Sequence, residues 1–249
     1  MTAQKPTFQM DGHDVPFEEG QSILAAALEA GTYVPYLCYH PEFSPHGSCK
    51  VCTVRVNGRT QASCTTPARA GDVVESNVDE LNEMRRGLVQ FLFTEGNHFC
   101  PSCEASGSCT LQAVGYELGM TTAHYAPLFP VRPVDASHPD ILLDLNRCIL
   151  CELCVRASAL VDKKGVFSLS GRGITKHLVV SAESGRLGDT SLAADDKAAN
   201  VCPVGVILKK RHGFQVPIGQ RKYDAHPIHE VATEAAAVRA SERAREGEP

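Results

Sequence analysis

The residues of this chain that could do chemistry are its cysteines, which fall into three groups along the sequence. There are eleven cysteines and ten histidines among 249 residues. The cysteine groups are Cys38/Cys49/Cys52/Cys64, Cys100/Cys103/Cys109, and Cys148/Cys151/Cys154 with Cys202. Together with His98, which lies two residues before Cys100, they supply twelve ligands in sets of four. Thiolates in such sets are the usual ligands of iron–sulfur clusters, so the sequence predicts three clusters.

Composition favours metal binding over the other uses of cysteine. The net charge is −5, and no basic stripe indicates a nucleic-acid partner. No apolar run of about 18 residues predicts a membrane span, and the first fifteen residues lack a secretory signal pattern, so we expect a cytoplasmic location. Cytosolic thiols stay reduced, and an odd number of cysteines cannot all pair, which disfavours disulfides. Buried cysteines acting as small hydrophobes are the other alternative, and the grouping disfavours it.

The third group has the most specific spacing. Cys148-x₂-Cys151-x₂-Cys154 gives three thiolates from one tight loop, as in bacterial ferredoxins. Those ferredoxins have a further cysteine where this chain has Ser158, so the loop serves one cluster. We expect the fourth ligand to be the remote Cys202, which is followed by a proline as in the ferredoxin motif. A zinc site could use the same thiolates, although zinc sites more often combine two C-x₂₋₄-C motifs than a cysteine triplet and one remote cysteine.

The first group predicts a [2Fe–2S] site. Cys49-x₂-Cys52 shares the two-residue step of plant-type ferredoxins, but ten residues separate Cys38 from Cys49 where those proteins have four. Cys64 would add the fourth thiolate from the end of a strand. Zinc is the alternative here as well.

The second group is one thiolate short of a [4Fe–4S] set. Cys100, Cys103 and Cys109 leave one iron without a ligand, and the neutral imidazole of His98 could take that position. A lone histidine is more often an ordinary surface or core residue, and this is the alternative for His98.

Hydrophobic patterning predicts an α+β protein. Short strands at residues 7–10 and 13–17 flank Asp11-Gly12, and strands at 53–56 and 60–63 flank Asn57-Gly58, which are hairpin signals. With a helix at 21–30 and a strand at 72–76, this order fits a β-grasp sheet. Beyond it we expect a core-facing helix at 81–95 with Asp79 as its N-cap, and two strands at 166–170 and 177–180. The apolar residues of this helix that recur at helical spacing are Leu81, Met84, Leu88, Phe91 and Leu92.

These elements predict five segments. They are a β-grasp [2Fe–2S] ferredoxin-like domain at 1–79, a small helical [4Fe–4S] domain with one histidine and three cysteine ligands at 80–126, a proline-rich linker at 127–139, a [4Fe–4S] ferredoxin-like module at 140–223, and a tail at 224–249. We expect the tail to be a surface helix or a frayed end.

The three groups in this order resemble the amino-terminal iron–sulfur region of the large complex I subunit. The chain is more similar still to the small iron–sulfur subunit in the diaphorase part of soluble NAD-reducing [NiFe]-hydrogenases. Residues 91–103, 111–116, 129–132, 202–205 and 217–223 carry this resemblance, the first of them ending in Gly96-Asn97-His98-Phe99-Cys100-Pro101-Ser102-Cys103. In the complex I pattern the ligating histidine lies four residues before the first cysteine, where this chain has Gly96. Some relatives also carry a second complete cysteine set in the last module, which this chain lacks.

The resemblance implies one [2Fe–2S] and two [4Fe–4S] clusters and a role in electron transfer. Electrons from a nickel–iron site, carried by the small and large hydrogenase subunits, would pass through this chain to an FMN- and NAD-binding diaphorase subunit. This chain has no G-x-G-x-x-G fingerprint, so we expect it to have no NAD site and no catalytic residue of its own. An equivalent electron-input subunit of a formate dehydrogenase or a complex I-like NADH dehydrogenase is the alternative, and a colourless structural zinc protein is the third possibility.

Overall fold

The structure is a computed structural model that describes residues 5–246. Its strands and helices, in chain order, are β1 (Thr7–Met10), β2 (His13–Pro16), α1 (Ile23–Glu29), β3 (Thr53–Val56), β4 (Arg59–Ala62), β5 (Val73–Glu75), α2 (Asp79–Glu95), α3 (Thr110–Glu117), β6 (Val134–Asp135), β7 (Ile141–Asp144), α4 (Leu153–Leu160), β8 (Phe167–Ser170), β9 (His177–Val180), α5 (Lys197–Asn200), β10 (Ile207–Lys209) and α6 (Ile228–Glu246).

The described chain divides into two compact units. The first comprises residues 5–89, 114–120 and 226–246, and the second comprises residues 90–113 and 121–225. Within residues 5–246, no helix combines the length and the apolar character that a membrane crossing requires.

The first unit is built on a five-stranded sheet in the order β2-β1-β5-β3-β4, in which β1 and β5 run parallel and the other neighbours antiparallel. Both predicted hairpin turns are confirmed. Asp11 and Gly12 have φ of 49° and 85°, and Asn57 and Gly58 have φ of 49° and 80°. Two successive positive φ values match the twist of the flanking strands, and Asp-Gly and Asn-Gly adopt them readily. With α1 across it, this sheet is the predicted β-grasp.

Helix α1 begins and ends where the sequence provides caps. The Ser22 hydroxyl accepts a hydrogen bond from the Ala25 amide at 3.2 Å, and Gly31 follows the helix with φ of 81°. These are a side-chain N-cap and a left-handed C′ glycine. The helix is two residues shorter at its start than the predicted 21–30.

Helix α6 also belongs to the first unit, because it packs against α1. Its residues Ile228, Ala232 and Ala236 are buried, and Arg243 donates to Glu29 at 2.7 Å. The helix predicted for the tail is therefore confirmed as far as residue 246, but one side of it is buried in the core. Residues 247–249 of the predicted tail lie outside the described chain.

Helix α2 differs from its prediction in its start and in its buried face. It begins at Asp79, which therefore lies inside the helix, and the Val78 carbonyl accepts the bond from the Asn82 amide. Predicted core residues Met84 and Phe91 are 37% and 51% exposed. Of the predicted face, Leu81 is buried, and the other buried residues of the helix are Arg85, Val89, Gln90 and Thr94.

The second unit contains a three-stranded sheet in the order β10-β7-β6 and the hairpin β8–β9. The hairpin is confirmed, with β8 beginning one residue later than predicted. The predicted linker at 127–139 contains a short strand near its end. This strand is β6, which pairs with β7 and places Val134 opposite Asp144. The sequence patterns had indicated neither β7 nor β10, and these two strands position a ligand described below.

Candidate metal centres

The first cysteine group lies at one end of the β3–β4 hairpin and in the loop before it. Thr53 stands opposite Ala62 in the antiparallel register, so Cys52, just before β3, and Cys64, two residues after β4, lie at the same end. The Ser63 amide donates to the Cys52 carbonyl at 3.1 Å, and this hydrogen bond keeps the segments that carry Cys52 and Cys64 side by side. Cys38, Cys52 and Cys64 are at most 1% exposed, and Cys49 is half-buried.

The four thiols of this group interact as two pairs. The Cys49 amide donates to Cys38 Sγ at 3.5 Å. The pKa of the Cys49 thiol is raised mainly by its side-chain hydrogen bond with Cys38 and, to a smaller extent, by burial. In the other pair, a hydrogen bond from Cys64 lowers the pKa of Cys52 to about 7, while the same bond and burial raise the pKa of Cys64. Negative charge on Cys38 and Cys49 also raises the pKa of the Cys64 thiol in the other pair. All four thiols could therefore be ionised together only beside strong positive charge, which iron would supply.

The second group lies on the segment that leads into α3. A single 3₁₀ turn spans Cys100–Ser102 with Pro101 at its start, and the Cys103 amide closes it onto the Cys100 carbonyl at 3.2 Å. Cys109 immediately precedes α3. Burial raises the pKa of Cys109 to about 12 and raises that of Cys100, and Cys103 adds to both shifts. The influence of Cys103 on both other thiols shows that these three half-buried groups lie near one another.

His98 lies beside this group with an unused ring nitrogen. Its Nε2 atom is buried and has no hydrogen-bond partner among residues 5–246. Burial, followed by the nearby Arg147 and Arg132 guanidinium groups, lowers the pKa of His98 to about 4, so the imidazole is neutral at physiological pH. A buried, neutral, unpaired ring nitrogen has the chemistry of a metal ligand.

The His98 ring folds back over Gly96. A Cβ atom at Gly96 would collide with His98 Nε2, so a side chain there would require the imidazole to move. The imidazole thus occupies the space into which a side chain at position 96 would project. This is the position of the histidine in the complex I pattern, two residues earlier in sequence than His98.

The third group surrounds a narrow cavity. Cys148, Cys151, Cys154 and Cys202 line this cavity of about 20 Å³ together with aliphatic residues, which include Leu150, Leu169, Leu178, Val204 and Ile207. Leu150 and Glu152 have φ of 53° and 63°, a left-handed conformation that is uncommon for such residues. Burial raises the pKa of Cys148 to about 11 and also raises the pKa values of Cys154 and Cys202. The loop bends at these two strained residues so that all three of its thiols face inward.

Sheet pairing brings the remote Cys202 to the loop. Strand β7 leads into Cys148, β10 follows Cys202, and Leu142 stands opposite Leu208 in their antiparallel register. The amides of Val204, Val206 and Ile207 point at Cys202 and partly offset the effect of burial on the pKa of its thiol. The prediction of Cys202 came from the Cys-Pro pair, whereas the two strands that carry it had gone unrecognised.

The second and third groups are joined by direct contacts within the second unit. The Thr110 amide, next to Cys109, donates to the Pro203 carbonyl at 2.8 Å. Arg147, next to Cys148, approaches Cys103 Sγ at 3.6 Å and pairs with Glu104 at 2.7 Å. A guanidinium N–H directed at a ligand sulfur is one of the factors that set cluster potential. Arg147 was not among the residues predicted from the sequence, although its position beside a cysteine triplet was a usable signal.

The spacing between potential metal-binding side chains can be compared with what different metal groups need. Throughout residues 5–246, no three His, Cys, Asp or Glu side chains converge closely enough to hold one metal ion. A mononuclear zinc site needs four ligands around one point. An iron–sulfur cluster spreads its ligands over several irons.

Three family models match successive parts of the chain. A 2Fe-2S iron-sulfur cluster binding domain matches residues 3–79, an NADH-ubiquinone oxidoreductase-G iron-sulfur binding region matches residues 85–124, and a 4Fe-4S single cluster domain matches residues 141–208. Each match contains one of the three cysteine groups. The α+β fold with a [2Fe–2S] domain followed by [4Fe–4S] regions is thereby confirmed.

Curated relatives and solved structures decide the family. The chain is 43% identical to the NAD-reducing hydrogenase HoxS subunit gamma of Cupriavidus necator over 90% of its own length and 96% of that protein. The chain belongs to this family. It also matches a chain in a crystal structure of an NAD+-reducing [NiFe]-hydrogenase in the H2-reduced state, with a TM-score of 0.89 and 52% identity over 93% of this chain and 98% of that one.

Other members of the wider superfamily are less similar. The NADPH-Fe(3+) oxidoreductase subunit alpha of Geobacter sulfurreducens is 30% identical over 83% of this chain, and the mitochondrial NADH-ubiquinone oxidoreductase 78 kDa subunit of Neurospora crassa is 30% identical over 86%. The matched region covers 24% and 29% of those proteins. The resemblance to both hydrogenase and complex I subunits is thus confirmed.

Proposed function

We propose that this chain is the iron–sulfur relay of an NAD-reducing hydrogenase. It carries electrons between the small and large subunits of a [NiFe]-hydrogenase module and an FMN- and NAD-binding diaphorase subunit. The likeness to the HoxS gamma subunit over nearly the whole chain is the observation that carries this proposal. The two [4Fe–4S] cysteine groups, in contact through Thr110 and Pro203, supply a short path for electrons inside one unit.

The [2Fe–2S] cluster would be held in the first unit with one iron on each thiol pair. Cys38 and Cys49 form one pair and Cys52 and Cys64 the other, as their hydrogen bonds suggest. Burial of these thiols keeps water from the sulfurs, which is one determinant of cluster potential.

The two [4Fe–4S] clusters would be held in the second unit. One takes His98, Cys100, Cys103 and Cys109, and the other takes Cys148, Cys151, Cys154 and Cys202. The unpaired Nε2 of His98, held over Gly96, supports the imidazole as the fourth ligand despite its shorter spacing from Cys100.

The chain's own role is to hold and tune these groups, without a substrate site or a catalytic residue. Cofactors carry the electrons, and the protein fixes their positions and potentials. The proposal includes a cytoplasmic location and the division into a β-grasp domain at 1–79, a histidine-and-cysteine [4Fe–4S] domain at 80–126, a linker at 127–139, a ferredoxin-like module at 140–223 and a tail.

The test is hydrogen-dependent reduction of NAD⁺ by the complex purified anaerobically with this chain. In a Cys154→Ser variant, the reaction should be lost, because one cluster of the relay is missing. Hydrogen-dependent reduction of a viologen dye and NADH-dependent reduction of ferricyanide should both persist, since each uses only one side of the relay. Loss of either partial reaction in an intact complex would contradict the non-catalytic role.

A second candidate rests on the 30% identity to the NADPH-Fe(3+) oxidoreductase and the 78 kDa subunit. It is an electron-input subunit of a formate dehydrogenase or of a complex I-like NADH dehydrogenase. A purified complex that reduced NAD⁺ with formate and ignored hydrogen would favour this candidate, and the ligand assignments would stand unchanged.

A further inference from the structure

Arg85 is a buried cation in the first unit. It lies on α2 and is 1% exposed, the largest side chain among the fully buried residues described. Its five N–H donors bond to the Val51, Thr53 and Ser76 carbonyls, the Asn82 amide oxygen and the Ser76 hydroxyl, at 2.7–3.2 Å. Every one of these acceptors is neutral, so the hydrogen bonds leave the charge of the guanidinium uncompensated.

A buried charge normally has a counter-ion. Among residues 5–246, no carboxylate oxygen lies within ion-pair distance of Arg85, although other arginines of the first unit, Arg55 and Arg243, pair with glutamates. The acidic residue whose charge acts on it, Asp11, is engaged with the Ser76 and Asn77 amides. Taking a charge out of water is costly unless an opposite charge is close. Arg85 therefore needs an anion that is not a carboxylate.

The cysteine group supplies the place for that anion. Arg85 Nε bonds the Val51 carbonyl at 3.2 Å and Nη2 bonds the Thr53 carbonyl at 2.7 Å, so the guanidinium holds the backbone on both sides of Cys52. Burial lowers the pKa of Arg85 to about 10, and Cys52 is the strongest of the charges that oppose this effect. The guanidinium remains charged at neutral pH and faces the thiol site.

We propose that Arg85 is the buried counter-ion and positioning residue of the [2Fe–2S] cluster. This inference rests on the proposed [2Fe–2S] site. Four thiolates and two sulfides outweigh two ferric ions, so the cluster is an anion that becomes more negative when it is reduced. A fixed positive charge stabilises the reduced form more than the oxidised form and raises the potential. The three backbone carbonyls bound by the same side chain fix the position of Cys52.

The experiment is an EPR-monitored redox titration of the [2Fe–2S] signal in the full chain loaded with its clusters. Three variants are compared with the wild type: Arg85→Met, which removes the charge, Arg85→Lys, which keeps it, and the matched control Arg86→Met. Arg86 is the next residue on α2, is partly exposed and pairs with Glu83 at 3.1 Å. We expect Arg85→Met to weaken reduction of the cluster at least tenfold, which is about 59 mV for one electron. Arg86→Met and Arg85→Lys should shift it less than about threefold.

The outcomes separate this inference from the proposed function. If the wild-type chain gave no [2Fe–2S] signal, the proposed [2Fe–2S] site itself would be wrong. With the wild-type signal present, an unshifted potential in Arg85→Met would overturn the inference, as would an equal shift in Arg86→Met. If Arg85→Met fails to load, Arg85→Lys decides: a near-wild-type potential supports the counter-ion role, whereas a tenfold loss or failure to load assigns Arg85 a purely structural role.

Discussion

Replacing Gly205 by alanine should damage the second cluster site through one added methyl group. An alanine Cβ would lie 3.0 Å from Cys103 Sγ, 3.1 Å from Arg147 Nη1 and 3.3 Å from the Ala105 Cβ. Ordinary contacts are about 3.5–4.0 Å, so each neighbour must move by a few tenths of an ångström. Arg147 cannot swing away freely, because it is paired with Glu104 at 2.7 Å.

The expected cost follows from overpacking a closed site. Such insertions cost about 1–3 kcal/mol, which corresponds to roughly a five- to 150-fold change in an equilibrium at about 1.4 kcal/mol per decade. The displaced atom is a proposed cluster ligand, so this cost should appear in the retention of the cluster held by Cys103. The cluster of the first unit should be unaffected.

The assay is iron and acid-labile sulfide content under increasing chelator, with EPR spectra of the reduced protein to identify which cluster is lost. Gly87→Ala is the matched control, since a Cβ at this helical position meets nothing within 4 Å and the change should cost no cluster. Equal chelator resistance in the Gly205→Ala and wild-type proteins would refute the reasoning that a methyl group at position 205 displaces Cys103.

Three further predictions concern single side chains of the second unit. Arg147→Met removes the N–H directed at Cys103 Sγ, and redox titration should show that cluster to be reduced about tenfold less readily, or about 59 mV lower. Ser158→Ala strips the Val166 amide of its 2.7 Å acceptor and should cost about 1–3 kcal/mol, seen as an apparent melting temperature lower by roughly 2–4 °C per kcal/mol with unchanged cluster spectra. His98→Ala should alter one [4Fe–4S] EPR signal and leave the [2Fe–2S] signal intact.

A different experimental result would contradict each of these three predictions. An Arg147→Met protein with the wild-type potential would show that the 3.6 Å contact has no electrostatic effect. Loss of a cluster in Ser158→Ala would mean that Ser158 acts on the metal and not only on the backbone. An unchanged EPR spectrum of reduced His98→Ala would remove His98 from the ligand set.

The local parts of the fold could be predicted because their signals are local. Asp11-Gly12 and Asn57-Gly58 determine their own turns, since only certain residues adopt two successive positive φ values. The sheet order that follows from two hairpins and a short last strand then has few alternatives. The start of α2 was less well predicted, because Asp79 suits a cap and a first helical turn equally.

The parts that depend on distant packing could not be predicted. Strands β7 and β10 are three or four residues long and pair across more than sixty residues, which leaves no periodic signal to find. Helix α6 has the pattern of a polar surface helix, because alanines are its main buried residues. Arg85 lies at the helical spacing of a core residue, but its side chain is charged, and charged side chains are rarely buried. Only the structure reveals the backbone carbonyls that accept its hydrogen bonds.

The candidate ligands were found by type and spacing, whereas their grouping needed three dimensions. The cysteine groups could be assigned from the sequence because cluster ligands recur at short spacings. The spacing of His98 did not match the complex I pattern, and its fold-back over Gly96 would account for the difference. The importance of Gly205 could not be predicted, and that of Arg147 was indicated only by its position beside a cysteine triplet, since both act through contacts between segments far apart in sequence.

The most direct test is to count the metal in the full chain purified anaerobically. Three clusters require about ten iron atoms and ten acid-labile sulfides per chain, with no stoichiometric zinc. EPR of the reduced protein should then resolve one [2Fe–2S] and two [4Fe–4S] signals. A colourless chain with zinc, or a chain with iron for only one or two clusters after full reconstitution, would contradict the three-cluster relay.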